Sequence, residues 1–330
     1  MNRLFARQDL DQATVSTAMR DLLNDRVDVP LAAAFLSALR TKGESAEEIA
    51  AAVSVLRESM VKLETDGPTV DTCGTGGDDA GTFNISTAAA IVATACGARV
   101  VKHGNRAVSG KTGSADVLRE LGVPMDSGVD WARQSLQNVG FAFCFAPHFH
   151  PILAAVAPLR KQLGIRTIFN LLGPLANPAH APFQLIGVGK VELLDRIAGA
   201  VARLGTQRTV LVHGSDGLDE VTLSGVTDLR IVENGTVQVA QWTPHDFGLE
   251  PAFIHEILAA NAVESAAIVR RVLSGEKGPA YRFVVANAAA TLWIAGHVES
   301  LEESARVASH AIESGAAARV LSRLTEREGT

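Results

Sequence analysis

Apolar residues recur every three to four positions through three stretches near the start of the chain, LDQATVSTAMRDLLND, VPLAAAFLSALRTKG and SAEEIAAAVSVLRESMVKLE. This spacing predicts three amphipathic helices with no strand between them. Gly43 is placed to end the second, and Ser45 with Glu48 forms a capping-box signature at the start of the third. From TDGPTVDTCG onward the pattern changes. Short apolar runs, ARVVKHG, FAFCFAP, QLIGVGK and TVLVHG, alternate with helical stretches, which predicts a mostly parallel α/β sheet. The segment HFHPILAAVAPLRKQLGIRTIFNLLGPLANPAHAPF reads as two helical pieces, broken at Gly164 and again at GPLANP, able to fold back onto the N-terminal helices. Three amphipathic runs near the end, ANAVESAAIVRRVLSGEKG, YRFVVANAAATLWIAGHV and SLEESARVASHAIESGAAARVLSRL, are expected to cover the sheet. The expected fold is α/β in two parts. Residues 1–66, joined by about 148–180, form a small helical domain; residues 67–147 and 181–330 form a larger domain with a central, mostly parallel sheet flanked by helices.

Length and composition add limits. The 330 residues, 47% hydrophobic and 20% charged, leave ample room for an enzyme with a sizeable core. A net charge of −6 gives no general reason to bind nucleic acid or an anionic membrane, so any anion site must be local. Cys73, Cys96 and Cys144 lie far apart with no zinc-ligand spacing, and read as buried, reduced thiols of a cytoplasmic protein. The start MNRLFARQDLDQ has no signal-peptide apolar region, and the longest apolar run is too short to span a bilayer.

The candidate chemistry lies at strand ends. In DTCGTGGDDAGTFNIST, Gly74, Gly76 and Gly77 stand between a strand and a helix that starts near Ser86. Without Cβ atoms, their backbone N–H groups can approach an anionic oxygen, and the helix N-terminus adds positive potential. A tight turn alone would also explain these glycines. A second such turn, KHGNRAVSGKTGSADVLRELG, adds Lys102, Arg106 and Lys111 as cations, Asn105, Ser109, Thr112 and Ser114 as neutral donors, and Gly104, Gly110 and Gly113 as bare backbone. Two anion-binding turns suggest a ligand with two phosphate groups. His103 by itself reads as a packed, hydrogen-bonded histidine. In VLVHGSDGLDEVTLSG, Asp216, Asp219 and Glu220 lie at another strand end, as hard oxygen ligands suited to Mg²⁺ or as an acidic surface turn.

Taken together, DTCGTGGD, NIST, KHGNRAVSG, GSADVL, GIRTIFNLLGPLANPA and GLDE resemble, in order and spacing, the anthranilate phosphoribosyltransferases, of the nucleoside-phosphorylase-like class. A lone GTGGD would also fit the pyrimidine nucleoside phosphorylases. The resemblance implies that Gly74, Gly77, Asp78, Thr82, Asn84, Ile85, Ser86 and Thr87 contact phosphoribosyl pyrophosphate (PRPP). It extends the same role to Lys102, His103, Gly104, Asn105, Arg106, Ala107, Val108, Ser109 and Gly110, with Ser114 beside them. Gly74, Asn105 and Arg160 would hold anthranilate, and Ser86, Asp219 and Glu220 would hold magnesium, two ions per site. The sequence departs from the family at Gly110, where a second serine is usual, and in AANAVESAA and GPAYRFVVANAA. The implied reaction displaces pyrophosphate from C1 of the ribose by an aromatic amine. That amine is already neutral near pH 7, so neither a covalent nucleophile nor a general base is expected. A homodimer through the N-terminal helices is expected as well.

Overall fold

A computed structural model of the chain describes residues 1–107, 112–125 and 128–326. The N-terminal run folds into helices Gln12–Leu23, Val29–Lys42 and Ala46–Glu58, after a single turn at Asn2–Phe5. Asp11 caps the first, its side chain accepting from Thr14 N, and Gly43 ends the second with φ 87°. The capping box of the third is formed in both directions between Ser45 and Glu48. Glu48 is fully buried, and its carboxylate also accepts from Leu10 N at 2.9 Å and Lys42 Nζ at 2.7 Å. The capping acid thereby pins the first helix to the third.

The third helix stops at Glu58, although its sequence pattern runs on to Glu64. Val61 N donates to Phe149 O at 2.8 Å and Leu63 N to Pro178 O at 3.1 Å, so partners outside the helix satisfy the backbone beyond Glu58. The 146–175 stretch is more finely divided than expected. It holds short helices at Ala146–Phe149, Ala157–Leu163 and Phe169–Leu172 and single 3₁₀ turns at Pro151–Ala154 and Gly173–Leu175. Its Val156, Ile168, Phe169 and Leu172 share one apolar cluster with the N-terminal helices, and that cluster continues through helix Leu194–Leu204 to Ile186 and Leu211 of the sheet.

Seven strands follow: β1 Val70–Gly74, β2 Val100–Gly104, β3 Phe141–Phe145, β4 Phe183–Gly187, β5 Arg208–Gly214, β6 Thr227–Glu233 and β7 Thr236–Trp242. Their order is β3-β2-β1-β4-β5-β6-β7. Strands β1 to β5 are parallel; β6 and β7 add an antiparallel hairpin. That hairpin was not expected. Its turn is Asn234-Gly235 with φ 49° and 80°, an Asn-Gly pair that supplies the left-handed backbone a tight hairpin needs.

Helix Ile85–Ala95 packs on Pro279–Ile294, and both are rich in fully buried alanines, Ala88, Ala89, Ala90 and Ala93 on the first and Ala286, Ala288 and Ala289 on the second. Helices Ala262–Leu273, Leu301–Glu313 and Ala316–Thr325 complete the same layer. The last two were read as one helix, and Gly315 at φ 74° divides them. Among the described residues no helix is long and apolar enough to cross a membrane.

The chain leaves β1 for β2 and β3 on one side and returns to β4 on the other. This reversal opens a crevice at the carboxyl ends of β1 and β4, where ligands of open α/β sheets bind.

Candidate functional site

Strand β1 delivers Gly74 to that crevice, and the chain then turns before helix Ile85–Ala95. Gly76, Gly77, Asp79 and Gly81 have φ of 61°, 79°, 54° and 68°. Left-handed backbone at this density costs a residue with a Cβ about 1 kcal/mol per position or more, and it builds concave arrays of N–H groups suited to anions. The end of β4 forms a seat for the turn. Thr75 N donates to Gly187 O at 2.8 Å, and Gly189 N donates to Thr75 Oγ1 at 3.1 Å. A Cβ on Gly189 would lie 2.7 Å from Gly76 O and 2.9 Å from Asp78 N. One on Gly187 would lie 2.7 Å from the carbonyl carbon of Asp219, and one on Gly74 would lie 2.8 Å from Asp219 Oδ2. Three strand-end glycines thus let the donor turn and the acidic turn meet.

The three acids of the third strand end separate in function. Asp216 turns back on its own loop, accepting from Leu218 N and Thr222 Oγ1. Asp219 Oδ2 accepts from Gly76 N at 3.1 Å, and Glu220 Oε1 accepts from Ser86 N at 3.1 Å. Burial, and then the neighbouring charge of Asp78, holds Asp219 well above the usual carboxylate range. Burial also pushes Glu220 up to about 7, with the Lys102 ammonium working against it. Such crowding of acids calls for a cation, and the donors are hard oxygens. Among the described residues no group of three or more His, Cys, Asp and Glu side chains is placed to hold a metal unaided. Two carboxylates with substrate phosphates as the remaining ligands suit Mg²⁺, which is seldom held by an all-protein cage.

Lys102, in the middle of β2, is 2% exposed. Its Nζ donates to Thr72 O and, at 3.1 Å, to Ser86 Oγ, so the ammonium supplies countercharge from beneath the site. His103 is buried as well. Its N donates to Asp71 Oδ1 at 3.2 Å, and its Nδ1 lies 2.9 Å from Gly173 O. His150 makes the matching contact from Nε2 to Ala176 O, and the two rings are 4.9 Å apart. Burial pushes His103 down to about 3 and His150 down to about 4, so both are neutral near pH 7 and donate to these carbonyls. Asn177 Nδ2 donates to Asp71 Oδ2 and Val101 O, both at 2.7 Å. The GPLANP segment is in this way fixed to β1 and β2.

Other expected site residues fall around these. Gly104 ends β2, where a Cβ would lie 2.8 Å from Phe143 Cε2. Asn105 Oδ1 accepts from Arg106 N, Asp116 Oδ2 accepts from Ala107 N and Gly113 N, and Ser114 opens helix Ser114–Glu120. Arg106 lies over the Phe145 ring, 5.6 Å from its centroid. Val108, Ser109 and Gly110, with Lys111, lie outside the described residues. Thr82 bridges to Leu258, and Asn84 N donates to Ser265 Oγ at 2.9 Å. Thr87 Oγ1 donates to Asn84 Oδ1, and Ile85 and Thr87 are buried. Arg160 stacks its guanidinium 5.3 Å from the centroid of Phe169, four residues before the carbonyl that His103 holds.

The sequence reading passed over Gly187, Gly189, Asn177 and Arg166. The G-x-G directly after the apolar run of β4 was the available signal for the first two. For Arg166, whose Nη2 donates to Thr75 O at 3.0 Å, there was none beyond its place in GIRT.

A helical bundle set against a parallel-sheet crevice is the build of one class of glycosyl transferase. Residues 1–60 match the helical bundle domain of the glycosyl transferase family, and residues 66–318 match its a/b domain. The anthranilate phosphoribosyltransferase of Moorella thermoacetica is 44% identical over 319 residues, 96% of this chain and 94% of that protein. The crystal structure of the Thermus thermophilus enzyme superposes with a TM-score of 0.90 at 40% identity, over 98% of this chain and 97% of that one. The Saccharomyces cerevisiae enzyme in complex with PRPP and Mg superposes with a TM-score of 0.85 at 30% identity, over 95% and 91%. The chain belongs to the anthranilate phosphoribosyltransferase family.

Proposed function

We propose that this protein transfers the 5-phosphoribosyl group of PRPP to the amine of anthranilate, releasing pyrophosphate and giving N-(5-phosphoribosyl)anthranilate for tryptophan biosynthesis. The observation that carries the reading is the meeting of the glycine turn with Asp219 and Glu220 at the β1–β4 crevice, through Gly76 N and Ser86 N. The backbone N–H groups of the Gly74–Asp78 and Gly104–Ala107 turns that are not already paired within the protein would bind phosphate oxygens, with Thr82, Asn84 and Ser114 lining the ends of the turns. Asp219 and Glu220, with Ser86, would hold Mg²⁺, whose charge favours departure of pyrophosphate. Arg160 would pair its planar guanidinium with the carboxylate of anthranilate, and Asn105 would orient its ring. The amine attacks C1 through a lone pair that is free near neutral pH as the bond to pyrophosphate breaks, and the proton then shed by the acidic N-alkylated amine passes to the departing pyrophosphate or to water; positioning and charge do the rest.

The helical layer, residues 1–66 with about 148–180, would close over the donor and keep water from the activated sugar carbon. We place the enzyme in the cytoplasm, in keeping with its free thiols. We also take it to be a homodimer. Phe5, Val29 and Leu31 on the N-terminal helices are 70%, 56% and 49% exposed, an apolar surface suited to a second copy. Loss of anthranilate fluorescence with PRPP and Mg²⁺ tests the reading. No turnover would remove it.

A further inference from the structure

Arg166 lies just past Gly164, which ends helix Ala157–Leu163. The segment that follows joins the apolar cluster of the helical layer through Ile168 and Phe169. Its guanidinium crosses to the other side of the crevice, where Nη2 donates to Thr75 O at 3.0 Å. It also covers Gly77, where a Cβ would lie 2.7 Å from Arg166 Cζ. Gly77 needs left-handed backbone at φ 79°, so glycine is required there twice over, by conformation and by the arginine above it. Burial, and then Arg40 of helix Val29–Lys42, disfavour the cation, and Asp219 and Asp79 offset part of that. Only one of the five guanidinium N–H donors has a protein partner among the described residues.

We propose that Arg166 is a positioning residue for the donor substrate. It holds the Thr75–Gly77 backbone in the conformation that turns Gly77 N toward the pyrophosphate while Gly76 N stays on Asp219. It does so from the short segment that also carries Arg160, six positions earlier. A lysine keeps the charge but can neither lie flat over Gly77 nor hold Thr75 O in the same plane.

The inference rests on the transferase reading, and two measurements separate them. Steady-state kinetics of the wild type, Arg166→Lys and Arg166→Gln give KM for each substrate. Calorimetric titration of each protein with pyrophosphate and Mg²⁺ reads the donor turn without any turnover. Both variants are expected to weaken pyrophosphate binding and to raise the PRPP KM by about tenfold, the effect of one charge-assisted hydrogen bond. At saturating PRPP the anthranilate KM should stay within about twofold, and thermal melting should move by only a few degrees. Full rescue by Arg166→Lys would reduce the residue to a point charge and overturn the proposal. So would unchanged pyrophosphate binding in Arg166→Gln, or equal losses for both substrates that follow a fall in melting temperature. A wild type that binds pyrophosphate without consuming anthranilate would sink the transferase reading and leave the role of Arg166 in the turn standing.

Discussion

Replacing Gly187 by alanine tests whether the acidic turn must sit against the end of β4. Gly187 does not occupy left-handed backbone, so the substitution carries no conformational penalty of its own. Its effect is steric. The new Cβ would fall inside contact distance of the Asp219 carbonyl oxygen, and 2.7 Å from its carbonyl carbon and 3.3 Å from its Cβ. The carbonyl atoms are backbone and cannot rotate away. Restoring ordinary carbon contacts requires the Asp219–Glu220 turn to move by about 1 Å, and overpacking of this kind costs about 1–3 kcal/mol. A displacement of about 1 Å in a group that holds the reacting phosphates costs on the order of 10²-fold in rate. The expected result is a fall in kcat/KM of that order in the fluorescence assay, a higher Mg²⁺ requirement, and a melting temperature lower by several degrees. Gly205→Ala is the control. Gly205 ends helix Leu194–Leu204 at φ 78° with open space around it, so alanine there strains the backbone and leaves the crevice alone. Wild-type kinetics in Gly187→Ala, or an equal rate loss in Gly205→Ala, would refute the reasoning.

Four further outcomes are expected. Asp219→Asn combined with Glu220→Gln should abolish most activity in a folded protein, since amides lack the charge that holds Mg²⁺; unchanged turnover at limiting Mg²⁺ counts against it. Arg160→Ala should raise the anthranilate KM by roughly tenfold or more and leave that for PRPP nearly unchanged; equal effects on both would return Arg160 to a scaffold role over Phe169. His150 should make stability depend on pH. Its folded pKa is about 4 against 6.5 when free, so below pH 6.5 the unfolded chain binds the proton first and stability falls as pH drops toward 4. Between pH 7 and 5 the loss is about 2 kcal/mol, working from about 1.4 kcal/mol per pKa unit. Buried Asp71, raised to about 6, acts in the opposite direction in any variant, so denaturant unfolding of wild type and His150→Gln at both pH values isolates the histidine; equal slopes would refute this. Light scattering at micromolar concentration should give the mass of a dimer, and a monomer mass would overturn that assignment.

What the sequence disclosed and what it withheld divide along a physical line. Periodicity is a local property, and it was sufficient for the three N-terminal helices, the capping box at Ser45 and the parallel strands. It failed where distant partners take over the backbone. The third helix ends at Glu58 because Val61 and Leu63 find carbonyls at Phe149 and Pro178, a contact no window around residue 60 contains. The hairpin Thr227–Trp242 differs, since its Asn-Gly turn is a local signal that apolar periodicity does not carry. The site shows the same division. Glycines in a strand-to-helix turn announce an anion, and a pair of adjacent acids announces a cation, each from a few residues. That Asp219 reaches Gly76 across 143 positions is set by the strand order, which places β4 and then β5 beside β1. Gly187 and Gly189 matter because of that order alone, since each is bare to admit backbone from another strand end. Arg166 is furthest from sequence logic, because its hydrogen bond to Thr75 O joins residues 91 positions apart that only the folded chain brings together. Residues of that kind set how closely the parts of a site meet, which is the quantity the Gly187 and Arg166 substitutions measure.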